Sequence, residues 1–182
     1  DPLPGDEDIA IIEQALGKSS LDAFQSIDQE PIASASIAQV HGAQLTTGEA
    51  VVIKIVRPGI EQLIRSEMEA LIEVSLWLES HLPLIRQMNL SQILQDQLTV
   101  LLAELSMFRE AHNQIQLRRN FADSPLLYVP RLHGRFTRQN LLVMERIDAP
   151  SIGELARMQQ ADVDFKVLAH KGVETFFTQV FD

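Results

Sequence analysis

The stretch Val51-Val52-Ile53-Lys54-Ile55-Val56 decides the fold, because it places a single charge inside a strand that is apolar on both faces. Strands of this kind are usually buried on both sides of a sheet. An unpaired ammonium group is costly there, so Lys54 needs a carboxylate, a phosphate or a route to solvent. Two interpretations stay open on the strand alone: an edge-strand lysine whose stem reaches water, or a lysine that serves a binding site.

A string of small residues precedes this strand at an informative spacing. Val40 closes the string Ala33-Ser34-Ala35-Ser36-Ile37-Ala38-Gln39-Val40 and lies fourteen residues before Lys54. Protein kinases place a G-x-G-x-x-G-x-V loop over the ATP phosphates and then a V-A-I-K strand. Here alanines stand at the three glycine positions. Because each alanine adds a methyl group where glycine lets the backbone approach phosphate, we expect a stiffer loop with altered phosphate contacts.

The remaining pattern predicts an α+β fold with a five-stranded antiparallel sheet and long helices, as in a kinase N-lobe. Strands around a Thr47-Gly48 turn come first, then helices over residues 60–82 and 90–121, then a hairpin of Tyr128–Leu132 and Leu141–Glu145. We expect a helical extension over residues 1–26. The N-lobe with its helical insertion would cover 27–147, and the hinge with the start of the second lobe would cover 148–182.

The composition limits the classes of function. The chain has 25 acidic and 15 basic residues, for a net charge of −10, and such a surface repels nucleic acid. Cysteine is absent and the five histidines have no metal-ligand spacing, so no metal site is predicted. No apolar run approaches the roughly 20 residues of a membrane span, and we expect this chain to be soluble.

A kinase lysine pairs with a glutamate on a helix of the same lobe, and three candidates lie on the two long helices. They are Glu67, Glu69 and Glu104. Glu104 borders the apolar stripe of Leu101 and Leu105, but periodicity does not choose among the three. Downstream, Met144 and Glu145 end an apolar strand. In kinases this strand leads to the hinge, where the Glu145 C=O and the Ile147 N–H would bind adenine.

These residues resemble the UbiB family of atypical kinases, which is linked to ubiquinone biosynthesis. The matching stretches are 31–41, 51–58, 108–113, 115–121, 143–147 and 173–181. The resemblance implies that Ala33–Ala38 forms an alanine-rich loop over the nucleotide and that Lys54 holds the α- and β-phosphates. It also implies that Lys54 pairs with Glu104, the glutamate of an E-x-D motif whose aspartate is replaced here by Ser106. Val52 replaces the usual alanine and is bulkier against adenine.

The resemblance further implies an ATP-binding part of an atypical kinase or ATPase at the cytoplasmic face of the bacterial inner membrane. The alternative is a non-catalytic module, a pseudokinase that binds nucleotide or lipid and controls assembly of the quinone pathway. Its partners would be ATP, polyprenyl quinone precursors or other ubiquinone-pathway proteins, with membrane contact through segments outside this chain.

The ends of the chain lead us to expect a piece of a longer protein, since it opens without Met and stops inside a helical pattern. By the resemblance, a K-x-G-Q helix would precede Asp1, and the catalytic loop and D-F-G segment would follow Asp182. Mg²⁺ is therefore expected only in the full-length protein, and the present chain alone should be inactive.

Overall fold

The computed structural model describes residues 5–181, and it describes side chains for residues 8–179. The helices are α1 (Gly5–Leu16), α2 (Lys18–Leu21), α3 (Ile60–His81), α4 (Pro83–Met88), α5 (Leu90–Glu104), α6 (Met107–Asn120), α7 (Leu155–Gln160) and α8 (Phe165–Phe181). The strands are β1 (Phe24–Ser34), β2 (Ala38–Leu45), β3 (Ala50–Val56) and β4 (Leu141–Glu145). A short 3-10 turn, Gly134–Phe136, precedes β4.

The four strands form one antiparallel sheet in the order β1-β2-β3-β4. The register places Lys54 opposite Val40 on β2 and opposite Leu142 on β4. Because β3 has a hydrogen-bonded neighbour on each side, Lys54 is not an edge-strand residue, and that interpretation is wrong. The predicted turn is present: Gly48 has a φ of 86°, and its N–H donates to the Leu45 carbonyl at 2.8 Å.

Successive side chains of β3 point to opposite faces of the sheet, and different helices pack on the two faces. We call the face that carries Val51, Ile53 and Ile55 the outer face, because α1 packs on it through Ile12 and Leu16. Val51, Ile53 and Ile12 have no exposed surface, so this face is a closed hydrophobic core. The inner face carries Val52, Lys54 and Val56, and the neighbouring strands extend it. Its buried part packs against Leu105, Met107 and Ala111, from α6 and the turn before it.

A buried polar cluster fastens α1 to the outer face. Asp8, Gln39 and His41 are each at most 1% exposed. The Gln39 amide, oriented with its nitrogen toward Asp8, donates to both carboxylate oxygens at 3.0 and 2.9 Å. His41 lies 3.5 Å from the same carboxylate through Nε2, and its Nδ1 is 3.0 Å from the Asp28 carbonyl oxygen. These contacts tie β1, β2 and α1 together.

The long helix predicted over residues 90–121 is two helices. Helix α5 ends at Glu104, Ser106 takes an extended conformation, and α6 begins at Met107. The Met107 N–H donates to the Gln139 carbonyl at 3.0 Å, a partner outside either helix. This tertiary contact redirects the chain, and it has no counterpart in the apolar periodicity.

The predicted strand Tyr128–Leu132 does not form, so the sheet has four strands. Leu132 makes a single antiparallel bridge to Met144. Around it, the Glu145 N–H donates to the Arg131 carbonyl and the His133 N–H donates to the Val143 carbonyl, both at 2.9 Å. Pro130 has no N–H to extend the ladder, and the turn from Gly134 ends the pairing on the other side.

Candidate functional site

Lys54 lies on the inner face and binds a carboxylate from α6. Its Nζ donates to both carboxylate oxygens of Glu110, at 2.7 and 2.8 Å. The two side chains are 28% and 34% exposed, so the pair is half-buried and open on one side. A half-buried cation with a carboxylate partner and an open side is suited to receive an anionic ligand.

The expected pairing of Lys54 with Glu104 is wrong in this structure, because the helix break separates the two carboxylates. Glu104 is the last residue of α5 and is exposed, while Glu110 lies in the first turn of α6. Both still line one cleft of about 210 Å³, together with Ser106, Arg109 and neighbouring residues. Glu104 is therefore near the site without being the partner of Lys54.

A sequence signal for Glu110 existed and was missed. Met107 and Ala111 are buried at helical spacing, and Glu110 falls on the same stripe. A carboxylate inside an apolar stripe is unusual enough to suggest a buried partner. A single continuous helix would extend the apolar stripe of Leu101 and Leu105 in the wrong direction. The prediction of one helix therefore concealed the position of Glu110.

The alanine-rich segment forms a tight hairpin next to Lys54. Ala33 and Ser34 end β1, and the chain turns through Ala35, Ser36 and Ile37. The Ala35 N–H donates to the Ala38 carbonyl at 2.8 Å and closes the turn. The residues from 33 to 36 are exposed, Ile37 is half-buried and Ala38 is buried. The predicted loop therefore exists as a structured hairpin with a free outer surface.

Apolar side chains on the inner face surround Lys54, on β2, on β3 itself and on β4. Val40 lies opposite Lys54, and Val52 lies opposite Met144, so all four residues share one face. Val40, Val52 and Met144 are half-buried. Gly42 lies opposite Val52, and a Cβ there would meet the side-chain ends of Asp28 and Arg146, which would have to move.

Glu145 at the end of β4 is held by two donors. The Tyr128 hydroxyl donates to its carboxylate at 2.7 Å, and the Arg131 N–H donates to it at 3.0 Å. The Tyr128 bond first, and then the Arg131 bond, lower the pKa of the Glu145 carboxyl. The bond to Glu145 raises the pKa of the Tyr128 hydroxyl. Two positions on, the Ile147 N–H donates to no acceptor within residues 5–181. The segment after β4 thus has a fixed start and an available donor.

Two other features of the described chain bear on function. Across residues 5–181, no three His, Cys, Asp or Glu side chains converge to hold a metal ion. Over the same residues, no helix has both the length and the apolar character that crossing a bilayer requires.

Comparison with known proteins gives consistent matches over the whole chain. The model of the ABC1 atypical kinase-like domain matches residues 1–182. The probable protein kinase UbiB of Cellvibrio japonicus is 46% identical over 172 residues, which cover 94% of this chain and 31% of that protein. The UbiB protein of Azotobacter vinelandii is 44% identical over 180 residues, which cover 99% of this chain and 34% of that protein. The chain thus spans about a third of the length of these relatives.

A solved structure shares the fold at low sequence identity. The chain in the complex structure of Rv3197-erythromycin from Mycobacterium tuberculosis aligns with a TM-score of 0.64 and 24% identity, covering 86% of this chain and 39% of that one. The fold class expected from the sequence is confirmed, as is the resemblance to the UbiB proteins. The chain belongs to the ABC1 atypical kinase-like family, the family of its UbiB relatives.

Proposed function

We propose that this chain is the ATP-binding part of an atypical kinase or ATPase of the UbiB family. The observation that carries the proposal is the Lys54–Glu110 pair, half-buried on the inner face beside the alanine-rich hairpin. In kinases, a lysine held by a helix glutamate meets the nucleotide phosphates. A charged pair that serves the fold alone would gain little from a half-exposed position.

The remaining residues of the inner face would complete the nucleotide site. Lys54 would bind the α- and β-phosphates beneath the Ala33–Ala38 hairpin. Val40, Val52 and Met144 would contact the base, since half-buried apolar side chains favour a flat aromatic ligand. The Glu145 C=O and the Ile147 N–H would bind the adenine edge. Mg²⁺ would shield phosphate charge in the full-length protein, and no group of described residues is assigned to hold it.

The biological role follows from the UbiB relatives, whose curated name is probable protein kinase. We propose that the full-length protein supports ubiquinone biosynthesis at the cytoplasmic face of the bacterial inner membrane. Polyprenyl quinone precursors or other proteins of that pathway would be its partners.

A second candidate is a non-catalytic module that binds nucleotide or lipid and regulates the quinone pathway. Two observations favour it. Alanine methyl groups stand at all three glycine positions of the hairpin, which limits close backbone approach to phosphate. Ser106 also replaces an expected acidic residue next to Glu104, which removes one carboxylate from the cleft.

The test is nucleotide binding by the full-length protein and its Lys54→Ala variant, measured by calorimetry. Lys54→Ala should lower ATP affinity at least about tenfold, because a charge-assisted contact to phosphate is lost. Lys18→Ala removes an exposed lysine from α2 and serves as the matched control. Equal ATP affinity in Lys54→Ala and wild type would refute the site. Turnover of ATP by the wild type would separate the enzyme from the non-catalytic module.

A further inference from the structure

Arg57 follows β3 directly, three residues beyond Lys54, and contacts both limbs of the alanine-rich hairpin. Its Nη2 donates to the Ser34 hydroxyl oxygen at 2.6 Å, and its backbone N–H donates to the Ile37 carbonyl at 3.0 Å. Ser34 is the last residue of β1, and Ile37 directly precedes β2. One residue at the end of the lysine strand therefore holds the two ends of the turn.

These contacts matter because the tip of the hairpin has little other support. Residues 33–36 are exposed, whereas Ile37 packs against the inner-face core. Ser34 therefore lies on the limb that lacks apolar anchoring. The planar guanidinium is a rigid donor, so its bond to the Ser34 hydroxyl restricts that limb to a defined position.

We propose that Arg57 is a positioning residue for the phosphates of a nucleoside di- or triphosphate, acting through Ser34. The inference rests on the proposed function and deepens it. Lys54 lies within β3 and Arg57 directly follows that strand, so the bond from Arg57 to Ser34 would keep the β1 limb of the hairpin at a fixed position relative to the strand that carries the lysine. The hairpin contributes to phosphate binding only while that position is kept.

This role makes a prediction specific to phosphate. Loss of the Arg57–Ser34 bond frees the hairpin tip, and the base-contacting residues Val40 and Val52 on the strands keep their places. Affinity for ATP should therefore fall, while affinity for adenosine, which has no phosphate, should not change. A general loss of folding would lower both.

The experiment is a double-mutant cycle on the full-length protein with Ser34→Ala, Arg57→Ala and the pair, with calorimetry of ATP and adenosine. Ser34→Ala removes one hydroxyl from an exposed residue and should lower ATP affinity about three- to tenfold. Arg57 has a further interaction besides these two, so Arg57→Ala should cost at least as much. The double variant should bind ATP no more weakly than Arg57→Ala.

Two controls sharpen the result. Ser34→Thr keeps the hydroxyl and should retain wild-type ATP affinity. Arg65→Ala removes an exposed arginine that pairs with Glu61 on α3 and should change neither affinity.

Three outcomes would overturn the inference. They are unchanged ATP affinity in Ser34→Ala, additive losses in the double variant, and equal losses for ATP and adenosine. The two proposals fail separately: if Lys54→Ala abolishes ATP binding while Ser34→Ala has no effect, only the role of Arg57 is lost. If Lys54→Ala has no effect either, the nucleotide site itself is wrong.

Discussion

The two faces of the sheet differ in the way their side chains are covered, although the same strands build both. On the outer face, Val51, Ile53 and Val143 are fully buried under α1 and the turn at Phe136. On the inner face, Val52 and Lys54 alternate with Val51 and Ile53 along β3 but remain half-buried. The outer face is a closed hydrophobic core, whereas part of the inner face is open and carries the Lys54–Glu110 ion pair.

This difference separates residues that serve stability from residues that we propose serve binding. Burial on the outer face supplies most of the hydrophobic free energy available to β3. The exposed part of the inner face contributes less to the fold, so a lysine and an adjoining apolar surface can remain there at small cost to stability. Adjacent residues of one strand should therefore lose different amounts of stability on mutation.

The largest expected effect is on stability and comes from Ile53→Ala. Truncation of this fully buried side chain should lower the free energy of unfolding by about 2–5 kcal/mol. The adjacent Val52→Ala is the matched control and should cost about 1 kcal/mol or less, since Val52 is half-buried. Urea denaturation measures both. Similar losses in the two variants would mean that the faces do not differ in the way described.

A smaller effect should follow from Glu110→Gln, which removes the charge that holds Lys54. We expect ATP affinity to fall about three- to tenfold, because the ammonium loses its charge-assisted partner. Stability should change by at most about 1 kcal/mol, as the pair is half-exposed.

The matched control for that variant is Glu104→Gln, which changes the exposed carboxylate across the same cleft. It should leave the Lys54–Glu110 pair intact and change ATP affinity less than Glu110→Gln does. The opposite ranking would restore Glu104 as the functional partner.

Local sequence was sufficient to predict the strand and the hairpin around Lys54. A charge within an apolar strand and small residues at a fixed spacing before it are both local signals, and strand alternation places Val40, Val52 and Lys54 on one face. The hairpin and the Thr47-Gly48 turn follow from short-range chemistry as well. These elements formed as expected because few distant contacts compete with them.

The partner of Lys54 and the number of strands depend on contacts between distant residues. The Met107 N–H bonds to Gln139, 32 residues away, and this contact breaks the helix that periodicity had joined. Segment 128–132 meets β4 through one bridge, because Pro130 and the following turn limit its ladder. The Met107–Gln139 contact has no signal in the local pattern, so one continuous helix was predicted and Glu110 was missed although it lies on an apolar stripe. Pro130 is a local signal, but the strand pattern around it outweighed it in the prediction of a fifth strand.

The smallest expected effect concerns the end of the inner face, where Tyr128 donates to Glu145. The bond lowers the pKa of the Glu145 carboxyl, so its contribution to stability is complete above the ordinary value of 4.5 and is lost as pH falls through the lower folded pKa. Tyr128→Phe should therefore lower the melting temperature slightly at neutral pH, and the difference from wild type should shrink in acid. Thermal unfolding between neutral and acidic pH measures this.

The Glu145→Gln background decides whether Tyr128 acts through that carboxylate. Without an ionisable partner, the Tyr128→Phe change should lose its acid dependence, because the glutamine carbonyl accepts the hydroxyl at any pH. The Arg131 N–H still reaches position 145 in every variant, so the start of the hinge stays in place. A difference that grows as pH falls would show that the hydroxyl stabilises the protonated carboxyl instead, and the assigned direction of the pKa shift would be wrong.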